Sequence, residues 1–172
     1  MERPGYPGRR AGDERGGAAL GRAARLYVLT GIPGSGKSTY ARQQLGGCVR
    51  VSLDDLRKMM SGLDYHAEYE PMVIAAGKAV LTSLLAQANQ MGFDVVLDAT
   101  NVTRRWRAEA IALARRFGVE PRSVFVDVPY EVAAQRNAER GRVVPEEVLR
   151  RFHNQLEPPS LDEGFVEVIR VG

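Results

Sequence analysis

The chain has 172 residues, 44% of them apolar, and a formal net charge of +3, which suits one domain with a full core and excludes a large mechanochemical ATPase module. Its single cysteine, Cys48, excludes an internal disulfide and is predicted to be a buried structural residue, with a reactive thiol as the alternative. No apolar run approaches the roughly 20 residues of a membrane span and no signal-peptide core opens the chain, so we expect a soluble cytoplasmic protein.

The N-terminal segment 1–25 differs in composition from the rest of the chain. It contains six Arg and three acidic residues, whereas residues 26–172 contain equal numbers of basic and acidic residues, so the net charge belongs to this segment. Its Gly, Ala and Arg offer too little apolar surface to bury. The sequence therefore predicts a disordered basic tail at 1–25 and one folded domain at 26–172.

Short β-branched runs alternate with helical stretches along this domain, which is the pattern of an α/β protein with a parallel sheet. Gly92 and Gly118 end two amphipathic helices, as C-terminal glycines commonly do. Because parallel sheets bind ligands at the carboxyl ends of their strands, we expect the loops after residues 30, 52, 98 and 128 to form one cleft. The predicted strands are 26–30, 48–52, 94–98, 123–128 and 165–171, and the predicted helices are 36–45, 53–61, 70–91, 104–117, 130–139 and 145–155.

The first predicted strand is followed by GIPGSGKS, which fits the phosphate-binding pattern G-x-x-x-x-G-K-[ST]. A triphosphate needs several backbone N–H donors at close range, and glycines let the chain wrap an anion without Cβ clashes. Lys37 is expected to reach the β and γ phosphates, and Ser38 to offer its hydroxyl to Mg²⁺. The sequence therefore predicts a nucleoside triphosphate site formed by Gly31, Gly34, Ser35, Gly36, Lys37, Ser38 and Thr39.

The second predicted strand leads into SLDDLR, in which two acids open a helix. Ser52 and Asp55 are similar to a capping box, and we assign Asp55 to that role. Asp54 and Arg57 share a helical face, where Asp54 could accept the proton of an attacking hydroxyl and Arg57 could hold the acceptor or the transferring phosphoryl group. Spacing alone leaves helix capping and general-base catalysis equally open for Asp54.

The third predicted strand is apolar and ends in Asp98. An acid in this position of a P-loop protein is expected to orient Mg²⁺ or its water against Ser38. A turn or cap residue is the alternative, and the preceding phosphate loop favours the metal role. Asn101 either joins this polar cluster or turns the chain before the next helix.

Two arginine clusters follow in the sequence. Arg136 and Arg140 lie four residues apart on one helical face, which suits either a lid that closes over a transferring phosphate or an ordinary solvated surface. The segment Arg104–Arg107 combines three cations with Trp106, the only tryptophan. That combination suits nucleic-acid contact, with a solvated surface for the arginines and core packing for Trp106 as the alternatives.

From residue 26 to the end, the chain resembles the kinase domain of polynucleotide 5′-hydroxyl kinases, which are P-loop phosphotransferases of nucleic-acid repair. The resemblance rests on the order and spacing of GIPGSGKST, SLDDLR, LDATN, VFVDVP, QRNAERG followed by VVP, and the closing FHNQLEPPSLDEGF. It implies a P-loop NTPase fold with a central parallel sheet of about five strands, flanked by helices and similar to adenylate kinase with a small lid.

The resemblance also implies roles for individual residues. Asp54 becomes the general base, and Arg57 contacts the acceptor end. Two lid arginines, Arg136 and Arg140, would bind the donor ATP. The implied catalytic residues are Lys37, Asp54, Arg57 and Arg140, and the implied Mg²⁺ ligands are Ser38 and Asp98.

The implied reaction is ATP-dependent phosphorylation of the 5′-hydroxyl end of DNA or RNA. No phosphatase segment accompanies the kinase segment, so partner proteins would supply 3′-end processing or ligation. Related P-loop kinases phosphorylate small molecules, nucleosides or aminoacyl-tRNA and share the phosphate loop. A nonenzymatic ATP-dependent binding module is the remaining alternative.

Overall fold

The computed structural model describes residues 22–62, 68–139 and 143–172, so all but the last four residues of the predicted tail lie outside the described residues. A 3₁₀ turn at Leu161–Glu163, which the sequence did not predict, precedes the last strand. Within the described residues, the strands are β1 (Arg25–Thr30), β2 (Val49–Ser52), β3 (Val95–Asp98), β4 (Glu120–Val126) and β5 (Glu167–Val171), and the helices are α1 (Lys37–Gln44), α2 (Leu53–Ser61), α3 (Glu70–Met91), α4 (Arg104–Arg116), α5 (Tyr130–Ala138) and α6 (Glu146–Asn154).

The strands form one parallel sheet in the order β2-β3-β1-β4-β5. This arrangement confirms the predicted α/β fold with five parallel strands flanked by helices. From the central strand β1 the chain passes to β2 at one edge of the sheet and returns to β3, whereas β4 and β5 are added on the other side of β1. The direction in which strands are added to the sheet therefore reverses at β1. Ligands of open parallel sheets bind at such a reversal, beyond the carboxyl ends of the strands. The loop after β1 occupies that position.

Alternate residues of the strands face opposite sides of the sheet, and each side is covered by helices. Helices α3 and α4 cover one side, and α1 covers the other. The α3–α4 side buries Leu26, Val28, Val95 and Leu97, and the α1 side buries Tyr27, Leu29, Val96 and Val124.

The long helix α3 has 22 residues and a mean hydropathy of 1.4 over its most apolar window. Among the described residues it alone has the length and composition of a membrane span, since alanines and leucines outweigh its few polar side chains. The sequence-based expectation was that no segment would approach such a span. Its buried residues recur at intervals of three or four, as in a helix that packs by one face. They are Val73, Gly77, Leu81, Leu85 and Ala88. A Cβ on Gly77 would lie 2.4 Å from Leu53 Cδ2, so the glycine permits close packing of α2 on α3.

Strand β4 begins three residues earlier than predicted and includes Pro121. A proline has no N–H to donate, and it is tolerated where a strand has no partner beside its nitrogen. Pro121 pairs with Leu26 of β1, and its carbonyl accepts a hydrogen bond from Val166 at 2.9 Å, just before β5 begins. The proline therefore lies at the end of the β4–β5 pairing. Most other element ends agree with prediction to within one or two residues.

Cys48 lies immediately before β2, half-buried against the apolar cluster on the α1 side. Burial raises the pKa of its thiol to about 11, so the group is a neutral thiol at neutral pH. We expect iodoacetamide to alkylate Cys48 roughly 100-fold more slowly in the folded protein than in urea near pH 8, because only the thiolate reacts. Mass spectrometry of the alkylated chain measures both rates, and equal rates would identify a reactive thiol.

Candidate active site

The phosphate loop joins β1 to α1 and packs against α5. Gly34 has a φ of +83°, and a Cβ at this position would lie 2.2 Å from the carbonyl oxygen of Ala133. Only glycine satisfies both the backbone conformation and this close approach. The backbone N–H of Gly31 donates to the carbonyl oxygen of Thr100 at 3.1 Å, which ties the loop to the segment after β3. Packing on two sides therefore fixes the loop in its open, anion-binding shape.

The Lys37 side chain is buried and lies along the loop. Its Nζ donates to the carbonyl oxygen of Ile32 at 2.8 Å and lies 3.4 Å from Ser35 Oγ. Ser38 is half-buried in the first turn of α1, and the neighbouring Thr39 is exposed. The positive end of α1, the lysine ammonium and the backbone N–H groups of the loop thus lie around one space suited to a phosphate chain.

Asp98 ends β3 as a buried carboxylate, with its side chain only 4% exposed. Arg50 Nη1 donates to Asp98 Oδ2 at 2.5 Å, and Arg50 Nη2 pairs with Asp55. Arg50 was not among the predicted site residues, although strand periodicity places it on the same face of β2 as Ser52, which pairs in register with Asp98. That signal becomes readable only once β2 is known to lie beside β3.

Replacing Arg50 with Met is expected to destabilise the protein by about 1–3 kcal/mol, because the buried Asp98 carboxylate loses its charged partner. Urea denaturation monitored by circular dichroism measures the change. Arg150→Met is the matched control, since Arg150 pairs with Glu146 on exposed helix surface and such a pair contributes about 0.5 kcal/mol or less. Equal losses in the two variants would contradict a specific role for Arg50 at Asp98.

Helix α2 begins at the carboxyl end of β2 and presents Asp54 in its first turn. Ser52 Oγ accepts the backbone N–H of Asp55 at 3.2 Å, as expected for a helix N-cap, while the Asp55 carboxylate pairs with Arg50 instead of completing a capping box. The Asp54 side chain is 55% exposed, and its Oδ1 accepts from Arg57 Nη1 at 2.5 Å. Asp54 and Arg57 therefore form a pair on one helical face, with the carboxylate accessible to solvent.

Arg57 also joins α2 to α3. Its Nε and Nη2 donate to the two carboxylate oxygens of Glu70 at 2.8 and 2.5 Å. These bonds raise the pKa of the Arg57 guanidinium, so the side chain remains charged at any working pH. Glu70 was not among the predicted site residues, since nothing in its sequence context distinguishes it from an acid at a helix N-terminus. The position of the Asp54 carboxylate thus depends on a contact between two helices.

Asn101 turns the chain after β3 instead of facing the cleft. It adopts a φ of +44°, and its Nδ2 donates to the carbonyl oxygen of Leu29 at 2.8 Å in a buried position. Asparagine tolerates this left-handed conformation better than most residues. Of the two roles that the sequence left open, the structure supports the turn.

Arg136 reaches over the phosphate loop from α5. Its Nη1 donates to the carbonyl oxygen of Ser35 at 3.2 Å, next to Gly36. Arg140, predicted to act with it, lies outside the described residues. Asn137, which was not among the predicted site residues, bonds both the N–H and the carbonyl oxygen of Val144 through its side chain. These bonds hold Val144 against the last turn of α5.

The cluster Arg104–Arg107 divides into different roles. Arg107 is completely buried, and its guanidinium forms two 2.7 Å hydrogen bonds with the Glu163 carboxylate. Arg104 pairs with Asp162 at 2.6 Å. Both arginines therefore hold the C-terminal segment against α4, so the expectation of a solvent-facing cation cluster is wrong for Arg107. Trp106, in contrast, is 47% exposed and does not belong to the core.

The predicted site residues within the described part of the chain meet at one edge of the sheet. Asp54 follows β2, Asp98 ends β3 and the phosphate loop follows β1, and these three strands are neighbours. The Ser38 hydroxyl and the Asp98 carboxylate are oxygen groups of the kind that Mg²⁺ prefers as ligands. The described residues contain no group of three or more His, Cys, Asp or Glu that could hold a metal ion. A site with few protein ligands fits Mg²⁺, which usually keeps waters and substrate phosphates.

Comparison with known proteins places these features in a family. A family model described as an AAA domain matches residues 26–159. The L-seryl-tRNA(Sec) kinase of Methanococcus maripaludis is 24% identical over 139 residues, which cover 78% of this chain and 53% of that protein. The bifunctional polynucleotide phosphatase/kinase of Schizosaccharomyces pombe is 28% identical over 153 residues, or 85% of this chain and 33% of that protein. This chain therefore spans about half and one third of the lengths of these two relatives.

A solved structure shows a similar fold. A chain in the structure of the Pnkp1/Rnl/Hen1 RNA repair complex superimposes with a TM-score of 0.66 and 25% sequence identity. The match covers 81% of this chain and 46% of that chain.

Proposed function

This chain belongs to the AAA domain family as a P-loop kinase, and we propose that it is a polynucleotide kinase that transfers the γ phosphate of ATP to the 5′-hydroxyl end of DNA or RNA. The observation that carries the proposal is the exposed Asp54 carboxylate, held by Arg57 at the same sheet edge as the phosphate loop. Similarity to a polynucleotide phosphatase/kinase and to a chain of an RNA repair complex supports a nucleic-acid acceptor.

The donor half of the reaction uses the phosphate loop. Lys37 and Arg136 bring positive charge to the phosphates of ATP, and the backbone N–H groups of the loop bind their oxygens. Ser38 and Asp98 would hold Mg²⁺, which supplies further positive charge to the phosphate oxygens when bound. Arg50 donates to Asp98 and holds that buried carboxylate in place at the end of β3.

The acceptor half of the reaction uses α2. Asp54 accepts the proton of the attacking hydroxyl while the hydroxyl oxygen forms a bond to the γ phosphorus. The bond between the γ phosphorus and ADP breaks, and ADP leaves with its electrons. Arg57 fixes the Asp54 carboxylate through Nη1 while Glu70 fixes Arg57. The general base is therefore oriented before the acceptor binds, which reduces the entropy lost in reaching the reactive geometry.

The proposed reaction also suggests a setting. We expect the protein to act in the cytoplasm with partners that process 3′ ends or ligate the phosphorylated strand. The Pnkp1/Rnl/Hen1 complex that contains the structural relative supports such partners.

The direct test is transfer of radiolabel from ATP to oligonucleotides. Purified protein is expected to label 5′-hydroxyl DNA or RNA, and to leave otherwise identical 5′-phosphorylated oligonucleotides unlabelled because they lack the acceptor group. Parallel reactions with nucleosides and small sugars compare the other acceptor classes. Rapid ATP turnover on a small hydroxyl compound, with no labelling of either nucleic acid, would refute the proposed acceptor.

A second acceptor is favoured by one observation, the similarity to an L-seryl-tRNA(Sec) kinase over 78% of this chain. The same Asp54 would then take the proton of the seryl hydroxyl. Mild alkaline hydrolysis separates the two outcomes, because it releases a label carried on the aminoacyl group and retains a label on the 5′ end of the tRNA. Label that leaves with the amino acid would establish this second function.

A further inference from the structure

Trp106 is a large aromatic side chain left largely uncovered beside the proposed site. It lies in the first turn of α4 with 47% of its surface exposed. Phe152 of α6 contacts it edge to face, with ring centroids 6.3 Å apart and planes at 66°. This contact packs the indole against α6. Exposed tryptophans of this kind are enriched where a ligand covers them.

The indole borders a small cavity that reaches the acceptor side of the site. The cavity has a volume of about 110 Å³, and its walls include Leu53, Leu97, Ala99 and Trp106. Leu53 directly precedes Asp54, and Ala99 directly follows Asp98. The cavity therefore extends from the indole to residues that adjoin Asp54 and Asp98 in the sequence.

The indole also borders an open groove of about 760 Å³ between α4 and the end of α6. Arg105 lines this groove as an exposed cation, and the described residues provide no ion-pair partner for it. The acid that also lines the groove, Glu157, accepts the backbone N–H of Arg104 instead. At the cavity mouth, Lys78 and Glu109 form a 3.1 Å ion pair that is largely exposed. Such a pair contributes little to stability, so Lys78 can exchange Glu109 for a phosphate at small cost.

We propose that Trp106 is the stacking platform for a base of a single-stranded acceptor, whose backbone runs from the cavity beside Leu53 to the groove beside Arg105. The inference rests on the proposed polynucleotide kinase function. Aromatic faces bind unpaired bases of any sequence, and nearby cations bind the backbone phosphates. A stacked base must be free of its complementary strand, so the site favours single-stranded 5′ ends over blunt duplex ends.

Intrinsic fluorescence tests the proposal directly, because the chain has one tryptophan. Titration with a single-stranded 5′-hydroxyl oligonucleotide is expected to quench the indole emission to saturation, and a blunt duplex of the same sequence is expected to bind more weakly. Trp106→Leu is expected to raise KM for the single strand by roughly 5- to 150-fold with kcat little changed. Trp106→Phe keeps an aromatic face and is expected to recover most of the affinity.

A charge comparison separates Arg105 from general surface charge. Arg105→Gln is expected to weaken oligonucleotide binding and reduce its salt dependence. The comparison variant is Arg170→Gln, because Arg170 is 74% exposed on the edge strand β5, where it pairs with Asp127 and does not line the groove. Equal effects of the two variants would contradict a backbone contact at Arg105.

The outcomes for stacking and for kinase function are distinguishable. Labelling of 5′ ends without any change in Trp106 fluorescence, or an unchanged KM in Trp106→Leu, would overturn the stacking site and leave the kinase function standing. Saturable quenching by the single strand without labelling would support the stacking site and refute the proposed reaction.

Discussion

Replacing Asp54 with Asn is expected to lower kcat for phosphoryl transfer by roughly 10²- to 10⁴-fold, the range typical of losing a general base. Asparagine has the same shape as aspartate but cannot accept a proton, so the hydroxyl must lose its proton to water. ATP binding is expected to survive, because Asp54 lies on α2 and the phosphate loop lies on β1 and α1. Isothermal titration with ATP and single-turnover labelling measure the two properties separately.

The neighbouring acid provides a matched control for this experiment. Asp55 occupies the same first turn of α2, is 63% exposed and pairs with Arg50 instead of Arg57. Asp55→Asn removes an equivalent negative charge from the helix N-terminus, which costs about 0.3–1 kcal/mol of stability and is expected to leave kcat close to that of the parent. Near-normal transfer by Asp54→Asn would instead assign Asp54 to stabilisation of the helix.

The parts of the site that depend on local sequence were predictable. The phosphate loop has a fixed spacing of glycines, and its backbone requirements at Gly34 follow from that spacing. The pairing of Asp54 with Arg57 follows from helical periodicity, and the observed bounds of α2 and α3 equal the predicted ones. Local rules suffice for these features, because every partner lies within one turn of helix or one loop.

The parts that depend on distant partners were not predictable in the same way. Arg50 meets Asp98 across two strands, and Arg57 meets Glu70 across two helices. Finding these contacts requires the order of the strands and the packing of α3, which no local pattern specifies. The cluster Arg104–Arg107 was misjudged for the same reason. Its three neighbouring cations suggested one charged surface, but the fold exposes Arg104 and Arg105 and buries Arg107.

Arg107 provides the largest expected effect on stability. Its side chain is fully buried and that of Glu163 is 2% exposed, so almost no solvent reaches either charge. Arg107 Nη1 also donates to the carbonyl oxygens of Asn101 and Val102, at 3.0 and 3.2 Å. Arg107→Met therefore leaves a buried carboxylate and two backbone acceptors without their donor. We expect a loss of about 3–5 kcal/mol, a large share of the usual stability of a domain.

A double variant separates the ion pair from simple packing. In Arg107→Met with Glu163→Leu, neither charge remains buried, so the loss in urea denaturation is expected to be smaller than in Arg107→Met alone. Nucleic-acid contact by Arg107 would give the opposite pattern, namely weaker oligonucleotide binding with little change in the urea midpoint. Arg107 also bonds the carbonyl oxygen of Asn101, and the Asn101 side chain bonds Leu29 of β1. Loss of the Arg107 guanidinium should therefore loosen the chain beneath the phosphate loop. Hydrogen exchange in β1 and at Gly31 is therefore expected to rise in Arg107→Met and to be partly restored in the double variant.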